Sequence, residues 1–289
     1  IKLGNLRNEI MQDGSGDRYV NMAKIFINRR GNPDGRPSGY YGGTYSQDNV
    51  TIQEATEAVG HSVRFGYYMM AVTDVAINER DPEYIASLNR LWRNCVDTKM
   101  YITGATGTTG NGSDSEGFGP SYYLPDNSAY AETCATISNM KWAQRMNQLN
   151  GDSEYADVME RVLYNGFLHG LGIDGESFLY TNPLQGRATR FSWHNCACCP
   201  PNVARTIASV SEYAYVQAGR ELRANAYMGS TTHITVLGRE FTITQNTRYP
   251  YDGAINFAIE TAEADQPMKL KLRIPSWFPG QDIGFTVSL

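Results

Sequence analysis

The sequence predicts a mainly α-helical fold that changes to β-strands near residue 221. Three observations predict it. Apolar residues recur at helical spacing through most of residues 1–220, three predicted helices open with a similar short sequence, and alternating apolar and polar residues follow beyond residue 221. We therefore expect a helical domain over 1–220 and a β-sandwich, or part of one, over 221–289.

The helices are predicted from the period of the apolar residues. In the second of them, for example, Tyr19, Val20, Ala23 and Phe26 recur at roughly the spacing that places residues on one helical face. The predicted helices cover residues 4–12, 17–29, 52–79, 82–100, 128–149, 152–170 and 201–217.

A weak internal repeat marks the start of three helices. The segments 16–20, 81–85 and 151–156 each contain an Asp that can cap a helix, followed two or three residues later by a Tyr suited to the core. Repeated helix pairs predict a toroid of helical hairpins. The alternative is an irregular helical domain that uses common caps.

Alternation of apolar and polar residues predicts four half-buried strands in the last part of the chain. A turn is expected at 249–253, between the second and third of them. The predicted strands are 232–236, 241–245, 255–259 and 270–274, and the end of the chain, 285–289, reads as an open strand.

Composition excludes some classes of function. The net charge is −5 and no basic run exceeds Arg29-Arg30, so we expect no nucleic-acid partner. The sequence has no stretch of about 18 apolar residues, so we expect no membrane span. The 19 Tyr and 28 Gly suit a wide carbohydrate-binding cleft, although Tyr-rich surfaces also serve protein contacts, and a homodimer is left open. Localisation is left open between bacterial cytoplasm and periplasm.

Three of the five cysteines, Cys196, Cys198 and Cys199, fall within four positions. That is a poor disulfide framework, because adjacent cysteines rarely bridge each other. Pro200 is expected to push Cys199 toward an extended conformation just before a helix, whose N-terminus favours thiolate. Metal binding or catalysis is therefore the better interpretation of this cluster.

Completing a tetrahedral site around Cys198 and Cys199 requires further ligands, and Glu132 and Cys134 are the candidates. We expect Zn²⁺ in this site. A purely structural zinc clip is the alternative, although the usual pair of C-x-x-C knuckles is absent. Cys196 is a neighbour of the site or an alternative ligand to Cys198. Cys95 is expected to be a small buried hydrophobe.

Four further side chains are candidates for the same site. Glu116, in a glycine-rich loop, could protonate a glycosidic oxygen, with Asp114 as its rival, although either could be a solvated carboxylate. His61 could bind a sugar hydroxyl or be a core histidine. His194, beside the cysteines, is a candidate to contact a metal ligand or the substrate.

Several motifs, in order along nearly the whole chain, resemble the β-L-arabinofuranosidases of glycoside hydrolase family 127 and the related family 146. The motifs are Tyr122–Asn127, Ala129–Ala135, Tyr164–Gly166, Tyr180–Leu184 and Cys198–Asn202, with Gln245–Pro250 and Leu272–Trp277 in the strand region. The resemblance implies an (α/α)6 barrel followed by β-sandwich domains, and a retaining glycosidase that releases β-L-arabinofuranose from glycans or glycoproteins.

Matched motif by motif, the resemblance also implies roles for single residues. Cys198 aligns with the nucleophile and Glu116 with the general acid/base. The aligned zinc ligands are Glu132, Cys134, Cys198 and Cys199. His61 aligns with a histidine of the sugar subsite, and Tyr164 is a candidate for a substrate-contacting tyrosine.

Two departures from the family pattern matter. The family's barrel uses about a dozen helices against about seven predicted here, so the sequence looks like part of a longer protein whose missing helices would precede Ile1. The strand region also looks too short for a complete sandwich.

Two other functions are considered. One is a non-catalytic, zinc-stabilised glycan-binding protein. The other is a zinc hydrolase that uses metal-bound water, for which four protein ligands would leave no open coordination position.

Overall fold

The structure is a computed structural model that describes residues 1–34, 42–108, 116–262, 268–278 and 284. The chain divides into two compact units. The first comprises Ile1–Gly151 and Val158–Ala208, and the second comprises Asp152–Asp157 and Ser209–Leu289. Helices dominate the first unit and strands the second.

Seven α-helices lie in the described ranges: α1 (Lys2–Met11), α2 (Asp17–Arg29), α3 (Ser62–Glu79), α4 (Pro82–Thr98), α5 (Thr133–Asn150), α6 (Ser153–Arg161) and α7 (Cys199–Ala208). Shorter turns of 3₁₀-helix lie at Thr44–Ser46, Leu168–Gly170 and Val210–Tyr213, and a π-helical turn covers Val162–Phe167. The predicted helical majority is thus confirmed, whereas the toroid and the (α/α)6 barrel stay predictions.

The centre of the first unit is α5, which is buried on nearly every side and packs against α3. Trp142 of α5 meets Phe65 and Trp92 edge to face, with ring centroids 5.6 and 4.9 Å apart. The two helices approach closely because Gly66 has no side chain; a Cβ there would lie 2.2 Å from Ser138 Oγ. This packing holds the N-terminal ends of α3 and α5 in fixed positions.

Two of the predicted helices begin later than expected. The range 52–79 is helical only from Ser62, because Gly60 has a left-handed backbone with φ +70° that an α-helix does not continue through; a Cβ on it would meet the Thr44 carbonyl oxygen at 2.2 Å. The range 128–149 is helical only from Thr133, because Ala131 has a left-handed backbone with φ 42° that no α-helix continues through.

Two other predicted ranges change structure part of the way along. The range 152–170 is α-helical only to Arg161, after which the π-helical and 3₁₀ turns follow. The range 201–217 is α-helical only to Ala208, after which a 3₁₀ turn and then strand β1, from Tyr215, replace the predicted helix. The expected extended conformation of Cys199 was also wrong: Cys199 is the first residue of α7, since a proline such as Pro200 is tolerated in a first helical turn.

The repeated helix openings are only partly alike. Asp81 caps α4 by accepting the Glu83 backbone N–H at 2.8 Å. Asp17 does not cap α2; it is the first helical residue, and it accepts from the Asn8 side chain instead. Tyr84 and Tyr155 are buried as predicted, whereas Tyr19 is partly exposed.

Six strands form two sheets in the described part of the second unit. They are β1 (Tyr215–Ala218), β2 (Glu221–Ala224), β3 (Ser230–Val236), β4 (Arg239–Thr247), β5 (Ile255–Thr261) and β6 (Lys269–Leu272). One sheet has the order β1-β2-β6, with β1 antiparallel and β6 parallel to β2, and the other is the antiparallel meander β3-β4-β5.

The four predicted strands are confirmed as parts of β3, β4, β5 and β6, although β6 ends at Leu272 rather than at residue 274. The strands β1 and β2 were not predicted. The β-sandwich stays a prediction, and the expected strand 285–289 lies outside the described residues. Within the described chain, no helix is long and apolar enough to cross a membrane.

Candidate functional site

Two helix N-termini bring three cysteines and a glutamate together. Glu132 directly precedes α5 and Cys134 is its second residue. Cys198 directly precedes α7 and Cys199 is its first residue. Because a helix N-terminus carries a partial positive charge, both positions favour carboxylate and thiolate. All four of these residues were candidates from the sequence, and the structure brings them together.

The four side chains offer one ligand atom each, and these atoms all lie within 4.8 Å of one another. Cys199 Sγ lies 3.5 Å from Cys134 Sγ and 3.8 Å from Cys198 Sγ. Glu132 Oε1 lies 3.4 Å from the sulfur of Cys198 and 3.7 Å from that of Cys199. The arrangement can hold a metal ion.

Burial makes this cluster electrostatically unusual. Burial raises the pKa of Glu132 to about 9, with further upward contributions from Cys198 and Glu116. Hydrogen bonds from the thiols of Cys134 and Cys199 hold the pKa of Cys198 far below its usual range. Glu132 Oε2 is buried and has no hydrogen-bond partner among the described residues. A cation would satisfy that orphaned oxygen and the concentrated acidic groups together.

Glu116 faces the same region from a strained loop position with φ 63°. Its carbonyl oxygen accepts hydrogen bonds from Ser62 N and Ser62 Oγ at 2.9 and 2.8 Å, at the start of α3. The hydroxyls of Tyr130 and Tyr180 donate to Glu116 Oε1 at 2.9 and 3.0 Å. His61 Nε2 lies 2.7 Å from Glu116 Oε2. Both carboxyl oxygens are therefore fixed.

His61 is both the cap of α3 and the partner of Glu116. Its Nδ1 accepts the Arg64 backbone N–H at 3.4 Å, which assigns the ring proton to Nε2, the atom that donates to Glu116. Burial lowers the pKa of His61, while the Glu116 charge opposes that shift. A role of His61 in sugar binding stays a prediction.

Tyr180 connects the glutamate to the cysteine cluster. Its phenol oxygen lies 3.0 Å from Glu116 Oε1 and 3.5 Å from Cys198 Sγ. Burial raises the pKa of Tyr180, so the phenol keeps its hydrogen. It can donate that one hydrogen either to the Glu116 carboxyl or to the Cys198 sulfur, but not to both at once. Tyr130 and Tyr180 lie in motifs that carry the family resemblance, but neither was predicted to belong to the site.

A cavity of about 410 Å³ opens onto these groups. Its wall on the α7 side is made by Asn202 and Arg205, which hydrogen-bond to each other at 2.7 Å and to the hydroxyl of Tyr67. Sequence reasoning missed these three residues, although Asn202 and Arg205 lie one helical turn apart behind the cysteine motif. The lining residues are His61, Val63, Tyr67, Glu116, Glu132, Cys134, Tyr180, Cys196, Cys198, Pro201, Asn202 and Arg205.

The other candidates lie outside this constellation or at its edge. Tyr164 lies on the π-helical turn and is not among the described residues that line the cavity. His194 supports Tyr180 by an edge-to-face ring contact at 5.6 Å, and its Nε2 lies 3.2 Å from the Phe178 carbonyl oxygen. Cys196 is exposed at the cavity and does not belong to the four-ligand group.

Of the two remaining candidates, the structure describes Cys95 but not Asp114. Cys95 is fully buried, as predicted, and burial raises its pKa to about 12. Asp114, the rival of Glu116, lies outside the described residues. The roles of Tyr164 and His194 in substrate binding stay predictions.

A helical domain with a fixed carboxyl group and a nearby thiol in one cavity defines a site where an acid/base and a nucleophile can act together, as in an enzyme that works by covalent catalysis. Comparison with known families identifies the particular family. The model of the β-L-arabinofuranosidase GH127 catalytic domain matches residues 12–212, and that of the GH127 middle domain matches residues 221–288. The chain belongs to glycoside hydrolase family 127, as its motifs predicted.

Individual relatives agree with this assignment. The non-reducing end β-L-arabinofuranosidase of Bifidobacterium longum subsp. longum is 34% identical over an alignment of 259 residues, and the match covers 84% of this chain and 38% of that protein. A crystal structure of a GH127 β-L-arabinofuranosidase from Geobacillus stearothermophilus T6 matches with a TM-score of 0.85 and 35% identity, over 93% of this chain and 46% of that one.

A second solved structure, of a GH127 β-arabinofuranosidase, matches with a TM-score of 0.83 and 38% identity, over 95% of this chain and 41% of the other. The chain therefore spans less than half the length of each of these three relatives.

Proposed function

We propose that the protein is a retaining glycoside hydrolase that releases β-L-arabinofuranose from glycans or glycoproteins, with Cys198 as nucleophile and Glu116 as general acid/base. One observation carries the proposal: Glu116 and Cys198 line one cavity, and a single phenol oxygen, that of Tyr180, contacts both. The family membership and the β-L-arabinofuranosidase activity of two relatives support the sugar specificity.

We also propose that the cluster of Glu132, Cys134, Cys198 and Cys199 binds Zn²⁺. A tetrahedral zinc site with bonds of about 2.3 Å to sulfur and 2.0 Å to oxygen separates two sulfurs by about 3.8 Å and a sulfur from an oxygen by about 3.5 Å. The sulfur–sulfur distances of 3.5 and 3.8 Å and the sulfur–oxygen distances of 3.4 and 3.7 Å fit those edges.

The proposed reaction is a double displacement. Glu116, protonated, donates to the leaving glycosidic oxygen while the Cys198 thiolate attacks the anomeric carbon, which gives a thioglycosyl intermediate. Glu116 then removes a proton from water, which attacks the same carbon, breaks the bond to sulfur and releases the sugar with retained configuration. Zinc, when bound, supplies charge that keeps the cluster deprotonated and oriented.

The chain's own side chains prepare each group for its task. Tyr130, Tyr180 and His61 hold the Glu116 carboxyl, which fixes its direction toward the cavity. The phenol of Tyr180 can switch its hydrogen bond between the Glu116 carboxyl and the Cys198 sulfur as charge moves between them.

In the whole protein, we propose that the helical region 1–220 belongs to an (α/α)6 barrel and that 221–289 belongs to a β-sandwich.

The proposal is tested by labelling the full-length protein with an arabinofuranose-configured cyclophellitol, followed by mass spectrometry of the peptides. Modification of Cys198 would identify the nucleophile and the sugar class together. A protein that binds zinc and arabinosides but neither turns over an aryl β-L-arabinofuranoside nor takes the label would instead be a zinc-stabilised glycan-binding protein.

Zinc affinity is expected to fall as the pH is lowered. Burial raises the pKa of Glu132 to about 9, and hydrogen bonds to neighbouring sulfurs raise those of Cys134 and Cys199, so these ligands hold protons that zinc must displace near neutral pH. We expect a loss of at least about tenfold per pH unit between about pH 8 and pH 6. Competition with a chromophoric chelator measures it, and a constant affinity over that range contradicts the prediction.

Replacing Tyr180 by Phe should lower kcat by about 10- to 100-fold, because the carboxyl and the thiolate lose a shared hydrogen-bond donor. Zinc affinity should stay unchanged, since Tyr180 is not one of the four ligands. Steady-state kinetics and zinc titration measure the two quantities. Tyr122→Phe, at a side chain 76% exposed, is the matched control; equal kinetics of both variants would remove Tyr180 from the mechanism.

A further inference from the structure

Two loops that are distant in sequence are joined directly behind the site. Asn182 N donates to the Tyr130 carbonyl oxygen at 3.1 Å, and Thr133 N donates to the Tyr180 carbonyl oxygen at 3.0 Å. The Thr133 hydroxyl adds a bond of 2.8 Å to the Leu179 carbonyl oxygen. The segment that carries Tyr130 and Glu132 is thereby fastened to the segment that carries Tyr180.

The side chain of Asn182 lies at the centre of this junction. Its Nδ2 lies 2.8 Å from the Ala131 carbonyl oxygen and 3.1 Å from Thr133 Oγ1. An amide nitrogen has two hydrogens, so it can serve both acceptors at once. Asn182 is only 7% exposed, and solvent cannot take over these bonds if the amide is lost.

Asn182 holds a residue with a strained backbone, Ala131. Ala131 has φ 42°, in the left-handed region that an alanine rarely adopts, and its own N–H donates to the Gly107 carbonyl oxygen at 2.8 Å. The turn at Ala131 sends the side chain of Tyr130 to Glu116 and that of Glu132 to the sulfurs of the cluster. Relaxation of Ala131 would move both.

We propose that Asn182 is a positioning residue, whose buried amide locks the left-handed turn at Ala131 and so orients Glu132 in the metal cluster and Tyr130 on Glu116. The inference rests on the proposed function, because it assigns Asn182 an effect on the same metal and the same acid/base. Asn182 acts on both groups through Ala131, since it belongs to neither the cavity lining nor the four-ligand group.

The test replaces Asn182 by Asp, which keeps the volume of the side chain but turns a donor into an acceptor facing the Ala131 carbonyl oxygen. In the full-length protein, we expect zinc affinity to fall about 10- to 100-fold, as for other groups that orient metal ligands. We expect kcat to fall with it while KM changes little. Chelator competition measures the affinity, and Asn182→Ala replaces the Asp variant if the latter does not fold.

Asn139→Asp is the matched control. Asn139 is a buried asparagine, 2% exposed, whose Nδ2 donates to the Gly104 carbonyl oxygen at 3.0 Å, and it belongs to neither the cavity wall nor the cluster. Both variants should lower the melting temperature, but only Asn182→Asp should weaken zinc binding. Equal zinc affinity in the two variants would overturn the inference, whereas a wild-type protein without zinc binding or hydrolysis would overturn the proposed function itself.

Discussion

Replacement of Cys198 by Ser is expected to lower kcat for an aryl β-L-arabinofuranoside by at least about 10⁴-fold, because a serine hydroxyl is a far weaker nucleophile than a cysteine thiolate. Hydrogen bonds from Cys134 and Cys199 hold the pKa of Cys198 low, and a serine there would keep its proton. Steady-state kinetics of the full-length protein measure the loss, and retained turnover would exclude Cys198 as the nucleophile.

Loss of the nucleophile must be separated from loss of a metal ligand, because Cys198 is proposed to be both. Cys134→Ser removes one ligand of the same cluster but leaves Cys198 in place. Excess zinc should therefore restore part of the activity of Cys134→Ser and none of the activity of Cys198→Ser. Cys196→Ser, two residues away at an exposed position outside the four-ligand group, should keep the wild-type zinc affinity.

The cysteine cluster could be predicted from the sequence because its signal is local. Cys196, Cys198 and Cys199 fall within four positions, and a proline pair after them predicts a helix start. Glu132 and Cys134 were candidates by chemistry, and the family resemblance selected them. The helix boundary that places them depends on the left-handed backbone of Ala131, which no propensity of alanine indicates.

The two tyrosines on Glu116 could not be found in the same way. Tyr180 is 64 residues away from Glu116 in sequence, and its segment reaches the site through the junction with residues 130–133. With 19 tyrosines in the chain, no single one stands out. The strands β1 and β2 were missed for a related reason. Each has only four residues, too few to show a clear alternating pattern, and each is stabilised by pairing with another segment of the chain.

Replacement of Glu116 by Gln is expected to lower kcat/KM for a natural glycan by about 10²- to 10⁴-fold, the usual contribution of a general acid/base. Glutamine keeps the shape of the side chain and can still accept from Tyr130 and Tyr180, but it has no proton to give to the leaving oxygen. The loss should be much smaller for an aryl glycoside whose phenolate leaves without protonation, because bond cleavage then needs no acid.

The comparison with Glu132 makes this prediction specific. Glu116→Gln should keep zinc, since Glu116 is outside the four-ligand group, whereas Glu132→Gln should lose zinc affinity and slow both kinds of substrate alike. Glu176→Gln, at an exposed loop position, should change neither. If Glu116→Gln slows substrates with good and poor leaving groups equally, then Glu116 only maintains the site and another group is the acid. His61 is the first such group to test, because its Nε2 is 2.7 Å from the same carboxyl.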